Sequence, residues 1–527
     1  MKHTIVVCDH IHESGLEILK NTDDINYVYA ADIDKTKLLD VIKDADVCIT
    51  RSSTDVDEKF LNAATKLKAI VRAGVGVDNV DMQGCSKRGV IAMNVPTANT
   101  IAATELTMTH MLSCMRKMPY AHAQLKDQRI WKREDWYGQE LFGKKLGVIG
   151  FGNIGHRVAL RAKAFEMDVV TYDPYIPASK ATDLGIEYTT NFDDILACDI
   201  ITIHTPKNEE TLNMIDEEQI AKMKDGVVLI NCARGGLYNE DALYNNLKSG
   251  KIHMAGIDVF IKEPATNHPL LDLPNVTVTA HLGANTVESQ FKIATQAANN
   301  AIEAARGIGY PHALNLPIDE TKIPSYVKPY LELIQKMGYL VSQVDKNPIT
   351  SIKIEAKGEI AAYLESLATF ATVGALTTSL GNDKINYVNA PYVLKERGIT
   401  LETVELPNNS AYKNKVSIKF TTTNGTQSVG GTIFDDEIQR IIDINGHIVD
   451  VEPTGRMILF TNSDVPGVIG QVGQLLANNG INIADFRLGR SKDGALAVIL
   501  VDENVSSDIL DQLANLSAAK SVAYARI

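Results

Sequence analysis

Cysteine is scarce in this 527-residue chain: there are six, at positions 8, 48, 85, 114, 198 and 232, with no CxxC spacing and none beyond Cys232. That distribution is neither a disulfide framework nor a zinc site, and it fits a reducing cytoplasm, the compartment expected here. Positive charge is in deficit. Against 65 Asp and Glu stand 52 Lys and Arg, a formal net charge of −13 at pH 7. This argues against nucleic acid or an anionic membrane as main partner, since both select basic patches. A local basic pocket for a small anion stays open. Long hydrophobic runs are also missing. Stretches such as 495–501 fall far short of the roughly 18 residues of a membrane span. The apolar run behind the N-terminal Met-Lys-His-Thr is too short for a signal peptide. Repeats and low-complexity segments are not evident. With 45% hydrophobic and 22% charged residues the composition is globular, and at roughly 100–200 residues per domain the length suggests three or four domains.

Residues 1–300 alternate short β-branched strands with helical stretches. Strands are predicted at 4–8, 47–50, 69–72, 90–94, 145–149, 169–173, 200–204, 227–232, 254–259 and 276–280, with helical period over 100–118 and 154–165. Such alternation reads as α/β with parallel sheets buried on both faces. The strands are too many for one sheet, so two doubly wound domains are expected. Beyond Pro317 the texture changes to an α+β pattern, with strands at 346–354 and 415–421 around a helix near 363–380 and no Gly-rich phosphate loop. The segment 453–527 reads strand, helix, strand, strand, helix, strand, the ferredoxin-like plan.

The strongest local signal is Gly150-Phe151-Gly152-Asn153-Ile154-Gly155, which follows a predicted strand and opens a helix. Asp173, 18 residues past Gly155, ends the next strand. In this context the first glycine makes the turn, the second admits a pyrophosphate and the third packs helix on strand. The helix N-terminus then faces the phosphates. Asp173 accepts hydrogen bonds from ribose hydroxyls and repels a 2′-phosphate, so NAD is expected rather than NADP. Past later strand ends come Thr205, then Ala233-Arg234, Glu263 and His281. Ligands bind outside the carboxyl ends of parallel strands, so a cation, a carboxylate and an imidazole converge where a nicotinamide would lie. Hydride transfer from a carbinol needs these types: a cation for the carboxylate and carbonyl, an imidazole for the hydroxyl proton, a carboxylate to orient it. No metal is required. Arg51-Ser52 and Arg72-Ala73-Gly74-Val75-Gly76 also end strands, and two arginines beside a Gly-rich turn suit a substrate with a second negative group.

The fingerprint, together with Asn231–Gly236, Gly256–Phe260, Glu263-Pro264 and Thr279–Ala284, resembles the D-isomer-specific 2-hydroxyacid dehydrogenase family over residues 3–317. The resemblance implies a substrate domain from 1–95 plus 286–317 and an NAD-binding Rossmann domain at 96–285. It implies Arg234, Glu263 and His281 as the catalytic set. It places Gly150, Gly152, Asn153, Ile154, Gly155, Asp173, Thr205, Cys232, Ala233, Arg234, Asp258, His281, Gly283 and Ala284 on the cofactor. Val75 stands where many relatives have a hydroxyl residue, so only its backbone would reach NAD. The stretches holding Arg51, Ser52, Arg72, Gly74 and Asn99 look like the substrate loops of the branch acting on 3-phosphoglycerate, the entry to serine biosynthesis. Rival readings are a reductase of glyoxylate or hydroxypyruvate, and a non-enzymatic dinucleotide-sensing corepressor.

Asn462–Gly470 and Asn478–Ala484 resemble the amino-acid-binding ACT regulatory domain, here 453–527. Residues 318–452, with Tyr387–Pro391, are similar to that branch's intervening domain. On this resemblance L-serine is the expected effector, held by Asn462 and Asp464 with Asn482 from a neighbouring tail. A homo-oligomer, dimer or tetramer, is expected.

Overall fold

The computed structural model describes residues 2–318, 323–381, 384–407, 412–492 and 494–527. Its first sheet has five parallel strands in the order Ile25–Tyr29, His3–Val7, Val47–Thr50, Ala69–Arg72, Ile91–Met93. The order reverses between His3–Val7 and Val47–Thr50, a switch point of the kind that opens a crevice at the carboxyl ends. Helix Val287–Arg306 returns to cover this sheet with Ile293, Ala297, Ala301 and Ala305. It crosses helix Glu13–Lys20 at backbone contact: a Cβ on Gly15 would lie 2.6 Å from the Ala294 carbonyl oxygen. The edge strand Ile25–Tyr29, not anticipated above, mixes polar and apolar residues and buries only Ile25 fully, which blurs its pattern.

The second sheet has seven parallel strands: Val276–Val278, Ile252–Ile257, Val227–Asn231, Ile200–Ile203, Lys145–Ile149, Asp168–Tyr172 and Glu187–Tyr188. Its switch point lies between Lys145–Ile149 and Ile200–Ile203, so the Gly150 turn and the His204-Thr205 turn face one crevice. The architecture is thus α/β with two doubly wound parallel sheets, followed by two smaller units.

The third sheet is six-stranded and mixed, and it is larger than the two strands expected. Thr400–Glu405 pairs parallel to Ile349–Lys357, and Lys415–Thr422, Gly425–Phe434, Ile438–Ile444 and His447–Val451 continue antiparallel. Glycine and threonine fill Gly425–Phe434, which hides it from a β-branched pattern. Helices Val327–Val344 and Leu364–Leu380 cover one face and cross through reciprocal glycines. A Cβ on Gly338 would sit 2.5 Å from the Ala371 carbonyl oxygen, and one on Gly374 2.1 Å from that of Gln335. The stretch Glu359–Leu380 holds an 18-residue window of mean hydropathy 1.3, by length and composition apolar enough to cross a membrane, which run lengths alone did not reveal. Here 72% of that window is buried, because this close crossing places it in the core.

The last sheet is antiparallel in the order Ile483–Ser491, Gly494–Val501, Arg456–Asn462, Ala519–Arg526. Helices Val468–Asn478 and Ser507–Ala514 cover one face. The other face, with Met457, Leu459, Leu496, Val498 and Ala525, shares a core with helix Val327–Val344.

Candidate active site

The three fingerprint glycines occupy three different environments. Gly150 has φ +86°, and a Cβ there would meet the His204 carbonyl oxygen at 2.8 Å. Gly155 touches the turn itself, its Cβ position lying 2.0 Å from the Gly150 carbonyl oxygen. At Gly152 nothing lies within 4 Å, so this backbone is bare toward the crevice. Asn153 and Ile154 form the approach to helix Gly155–Ala164, and the Asn153 carbonyl accepts from Arg157 at 2.7 Å. Asp173 accepts from the Phe151 N–H at 2.9 Å and the Tyr175 N–H at 3.0 Å, one on each oxygen. A carboxylate has roughly four acceptor positions, so two remain for ribose hydroxyls. Across the crevice Thr205 Oγ1 is buried without a partner, an orphan that a dinucleotide would satisfy. These residues fit NAD.

His281 and Glu263 meet at 2.8 Å between Nδ1 and Oε2, and the other Glu263 oxygen accepts from the Phe260 N–H at 3.0 Å. Burial alone would raise the Glu263 carboxyl. The His281 hydrogen bond, the Phe260 N–H and the charges of His281 and Arg234 outweigh it and hold the group below its ordinary value. Arg234 leaves its strand through a turn tied by Asn231, whose side chain accepts from Ala233 N–H and donates to the Arg234 carbonyl. It then crosses to the first domain, where Nε meets Asp78 at 3.0 Å. Its guanidinium lies where a Cβ on Gly76 would be, 1.9 Å from Nη2. A Cβ on Gly74 would fall 1.6 Å from Arg72 Nη1, so both glycines are bare because arginines rest on them.

Arg72 is largely buried and pushed down to about 10, first by desolvation and then by the positive charges of Arg234 and Arg51, with Asp78 and Asp9 pulling it back. Arg51 is lowered by burial as well, against the charge of Asp9. Three guanidiniums that repel one another mark a place for anions. Arg72 Nε and Asn99 Oδ1 are buried without hydrogen-bond partners. Ser52 is exposed at the loop after Arg51. Val75 lends its carbonyl to Asn94 at 2.7 Å. Asp258 is fully buried and accepts from the Thr279 hydroxyl at 2.6 Å, Leu282 N–H at 2.7 Å and Gly283 N–H at 2.9 Å. Cys232 is buried nearby, and burial pushes its thiol up. The Ala284 carbonyl accepts from Gln290 at 2.9 Å.

Sequence reasoning passed over Asn231, Asp78 and Glu240. Glu240 holds the loop carrying Glu263, accepting from Ile261 N–H at 2.7 Å and pairing with His268 at 2.9 Å. Only the strand-end position of Asn231 was a signal; the others act across the fold. In the tail, the Asn462 side chain accepts from the Asp464 N–H at 2.9 Å, and Asp464 pairs with Arg490 at 3.2 Å. Asn482 bonds Asp502 at 2.6 Å. Within one chain it does not join Asn462, because the two border opposite ends of strand Gly494–Val501, roughly 20 Å apart at a strand's rise.

Family profiles match three parts of the chain: "D-isomer specific 2-hydroxyacid dehydrogenase, NAD binding domain" at 108–283, "D-3-phosphoglycerate dehydrogenase intervening domain" at 326–445 and "ACT domain" at 456–518. The chain is 38% identical over 521 residues to the D-3-phosphoglycerate dehydrogenase of Bacillus subtilis, covering 98% of each. It is 38% identical over 523 residues to that of Methanocaldococcus jannaschii, covering 98% of this chain and 99% of the other. Among solved structures, Aquifex aeolicus D-lactate dehydrogenase with NAD and lactic acid aligns at TM-score 0.53 and 29% identity, over 58% of this chain and 96% of its own. A glyoxylate reductase from Paecilomyes thermophila aligns at TM-score 0.55 and 27% identity, over 59% and 98%.

Proposed function

This chain belongs to the D-3-phosphoglycerate dehydrogenase family, and from that premise we propose how its residues carry out the reaction. It oxidises 3-phospho-D-glycerate to 3-phosphohydroxypyruvate with NAD, the first step of L-serine biosynthesis. The observation that carries the reading is the meeting of the His281–Glu263 pair with the Arg51, Arg72 and Arg234 cluster in one cleft. Because Nδ1 of His281 is engaged by Glu263, Nε2 is the nitrogen free to take the C2 hydroxyl proton. Bound NAD supplies the acceptor for the C2 hydride. Glu263 stabilises the imidazolium that forms. Arg234 holds the substrate carboxylate and polarises the C2 oxygen, while Arg51 and Arg72 receive the phosphate. Gly152 admits the cofactor pyrophosphate while Gly150 makes the turn and Gly155 packs the helix against it, Asp173 holds the adenine ribose, and Thr205, Cys232, Asp258 and the Gly283-Ala284 backbone line the nicotinamide side.

NADH formation with 3-phosphoglycerate tests the reading. Arg72→Ala should raise KM for 3-phosphoglycerate far more than for an unphosphorylated 2-hydroxy acid, and equal losses would make the arginine structural. The domain limits are 1–95 with 286–317, 96–285, 318–452 and 453–527, and packing of helix Val287–Arg306 on the first sheet supports the returning piece of the first. A homo-oligomer is supported by apolar side chains left open on and after helix Met118–Lys126, among them Trp131 and Tyr137 at 78% exposure each. Six unpaired cysteines accord with the cytoplasm. L-Serine is the effector, supported by the Asp464 carboxylate ahead of the N-terminus of helix Val468–Asn478. Calorimetry with serine should give heat with the wild type and weakened binding with Asp464→Ala; no heat with the wild type ends that part.

A further inference from the structure

His110 lies in the middle of helix Thr100–Arg116 and is 4% exposed. It faces Gly256 of the neighbouring strand, where a Cβ would come within 2.8 Å of the His110 Cβ. Room for the ring therefore depends on the bare backbone. Both ring nitrogens are occupied: Nδ1 lies 3.0 Å from Thr277 Oγ1, and Nε2 2.8 Å from Thr279 Oγ1.

The direction of these bonds follows from proton counting. The Asp258 carboxylate only accepts, so the Thr279 hydroxyl spends its one proton on Asp258 Oδ1 at 2.6 Å. Thr279 must then accept from His110, which places the ring proton on Nε2. The bare Nδ1 accepts in turn from the Thr277 hydroxyl, which lies 3.4 Å from Cys114 Sγ. Burial holds His110 below its ordinary value, with the charge of Asp258 pulling it back, in keeping with a neutral ring.

At its far end the relay reaches the loop of the proton acceptor. Asp258 receives the Leu282 and Gly283 N–H groups on its carboxylate and the His281 N–H on its carbonyl, at 2.7, 2.9 and 2.9 Å. These bonds hold His281 at φ +54°, a left-handed backbone that side chains other than glycine disfavour.

We propose that His110 is a positioning residue for the oxidation: acting through Thr279, it orients the Asp258 carboxylate that fixes the His281 loop. This rests on the reading of His281 as proton acceptor. Loss of turnover in His281→Ala checks that reading, and ratios of the relay variants to wild type check the relay.

The experiment compares His110→Leu, His110→Gln, Thr279→Val and the Leu/Val double variant in the full chain. Leu fills the space without a donor, whereas Gln places an amide N–H near the Nε2 position. Misplacement of about 1 Å costs on the order of a hundredfold, so kcat of the Leu variant should fall roughly ten- to a hundredfold, with KM for 3-phosphoglycerate nearly unchanged because Arg51, Arg72 and Arg234 lie outside the relay. Gln should recover part of the loss, and the double variant should lose no more than the worse single one. A packing role alone would spare Leu and penalise Gln. Unchanged kcat in His110→Leu, no recovery by Gln, or multiplicative losses in the double variant would overturn the proposal. Nitrogen NMR of isotope-labelled histidine gives a readout without turnover. The signal lost in His110→Gln should report a neutral ring protonated on Nε2, and a proton on Nδ1 would overturn the relay.

Discussion

The Glu263 carboxylate pairs with the His281 imidazole across 2.8 Å. The Glu263 carboxyl is held low against a burial that would raise it, mainly by His281. It therefore adds stability above the ordinary carboxylate range, and that contribution is lost as pH falls through its lowered value. Replacing it with Gln removes the carboxylate that orients the imidazole and stabilises the charge it gains, so kcat should fall with KM for 3-phosphoglycerate nearly unchanged. An unchanged kcat would take Glu263 out of this role. His281→Ala should lower kcat by about 10²–10⁴-fold, the usual worth of a positioned acid–base group, while NAD titration followed by fluorescence stays close to wild type. A large loss of NAD affinity instead would make His281 a cofactor ligand first.

At the scale of elements, the glycine turn separates folding from binding. Gly155→Ala pushes a methyl to 2.0 Å from the Gly150 carbonyl oxygen, whereas Gly152→Ala meets nothing within the chain. Without cofactor, Gly155→Ala should lower the thermal midpoint and Gly152→Ala should leave it unchanged, yet both should weaken NAD binding. An equal thermal loss in both would mean that Gly152 is packed in solution. Helix Val287–Arg306 offers a second element-level test. Its last residue, Arg306, meets Asp24 through two bonds at 2.6 and 2.8 Å, and this hydrogen bonding brings the Asp24 carboxyl down to about 2. A lowered carboxyl stabilises the fold above its ordinary value and ceases to as pH falls through about 2. In Arg306→Ala, carboxyl NMR should show Asp24 titrating back toward an unperturbed aspartate, and no change would mean the pair is open in solution.

Across the whole molecule, the Tyr387–Pro391 segment joins the intervening unit to the first domain. Val388 is 4% exposed and belongs to the first sheet's core, while Asn386 donates to the Gly89 carbonyl at 2.8 Å. Helix Val327–Val344 in turn carries the last sheet, the Gln343 side-chain amide donating to the Arg526 carbonyl and accepting from the Arg526 N–H, both at 3.0 Å. The tail is thus connected to the first sheet through packed elements. Val388→Ala should cost roughly 1–3 kcal/mol by the usual measure of buried methyl loss, read as a lower urea midpoint. An unchanged midpoint would show that this contact opens in solution.

Much of this organisation is written in local sequence. The Gly150–Gly155 fingerprint, the alternation of β-branched strands with helices, and Arg234, Glu263 and His281 beyond strand ends are all short-range signals. A parallel strand must be apolar and its carboxyl end must be a loop, so such sites can be read before folding. The intervening sheet was barely legible, because Gly425–Phe434 and Thr400–Glu405 take their strand state from neighbours rather than from their own residues. What only the tertiary structure decided lies at long sequence separation. Asp78 meets Arg234, Gly76 gives way to the same guanidinium, and His110 reaches Asp258 through Thr279. These contacts join residues that share no turn, strand or helix, and their energies depend on distances that exist only once separate elements have packed.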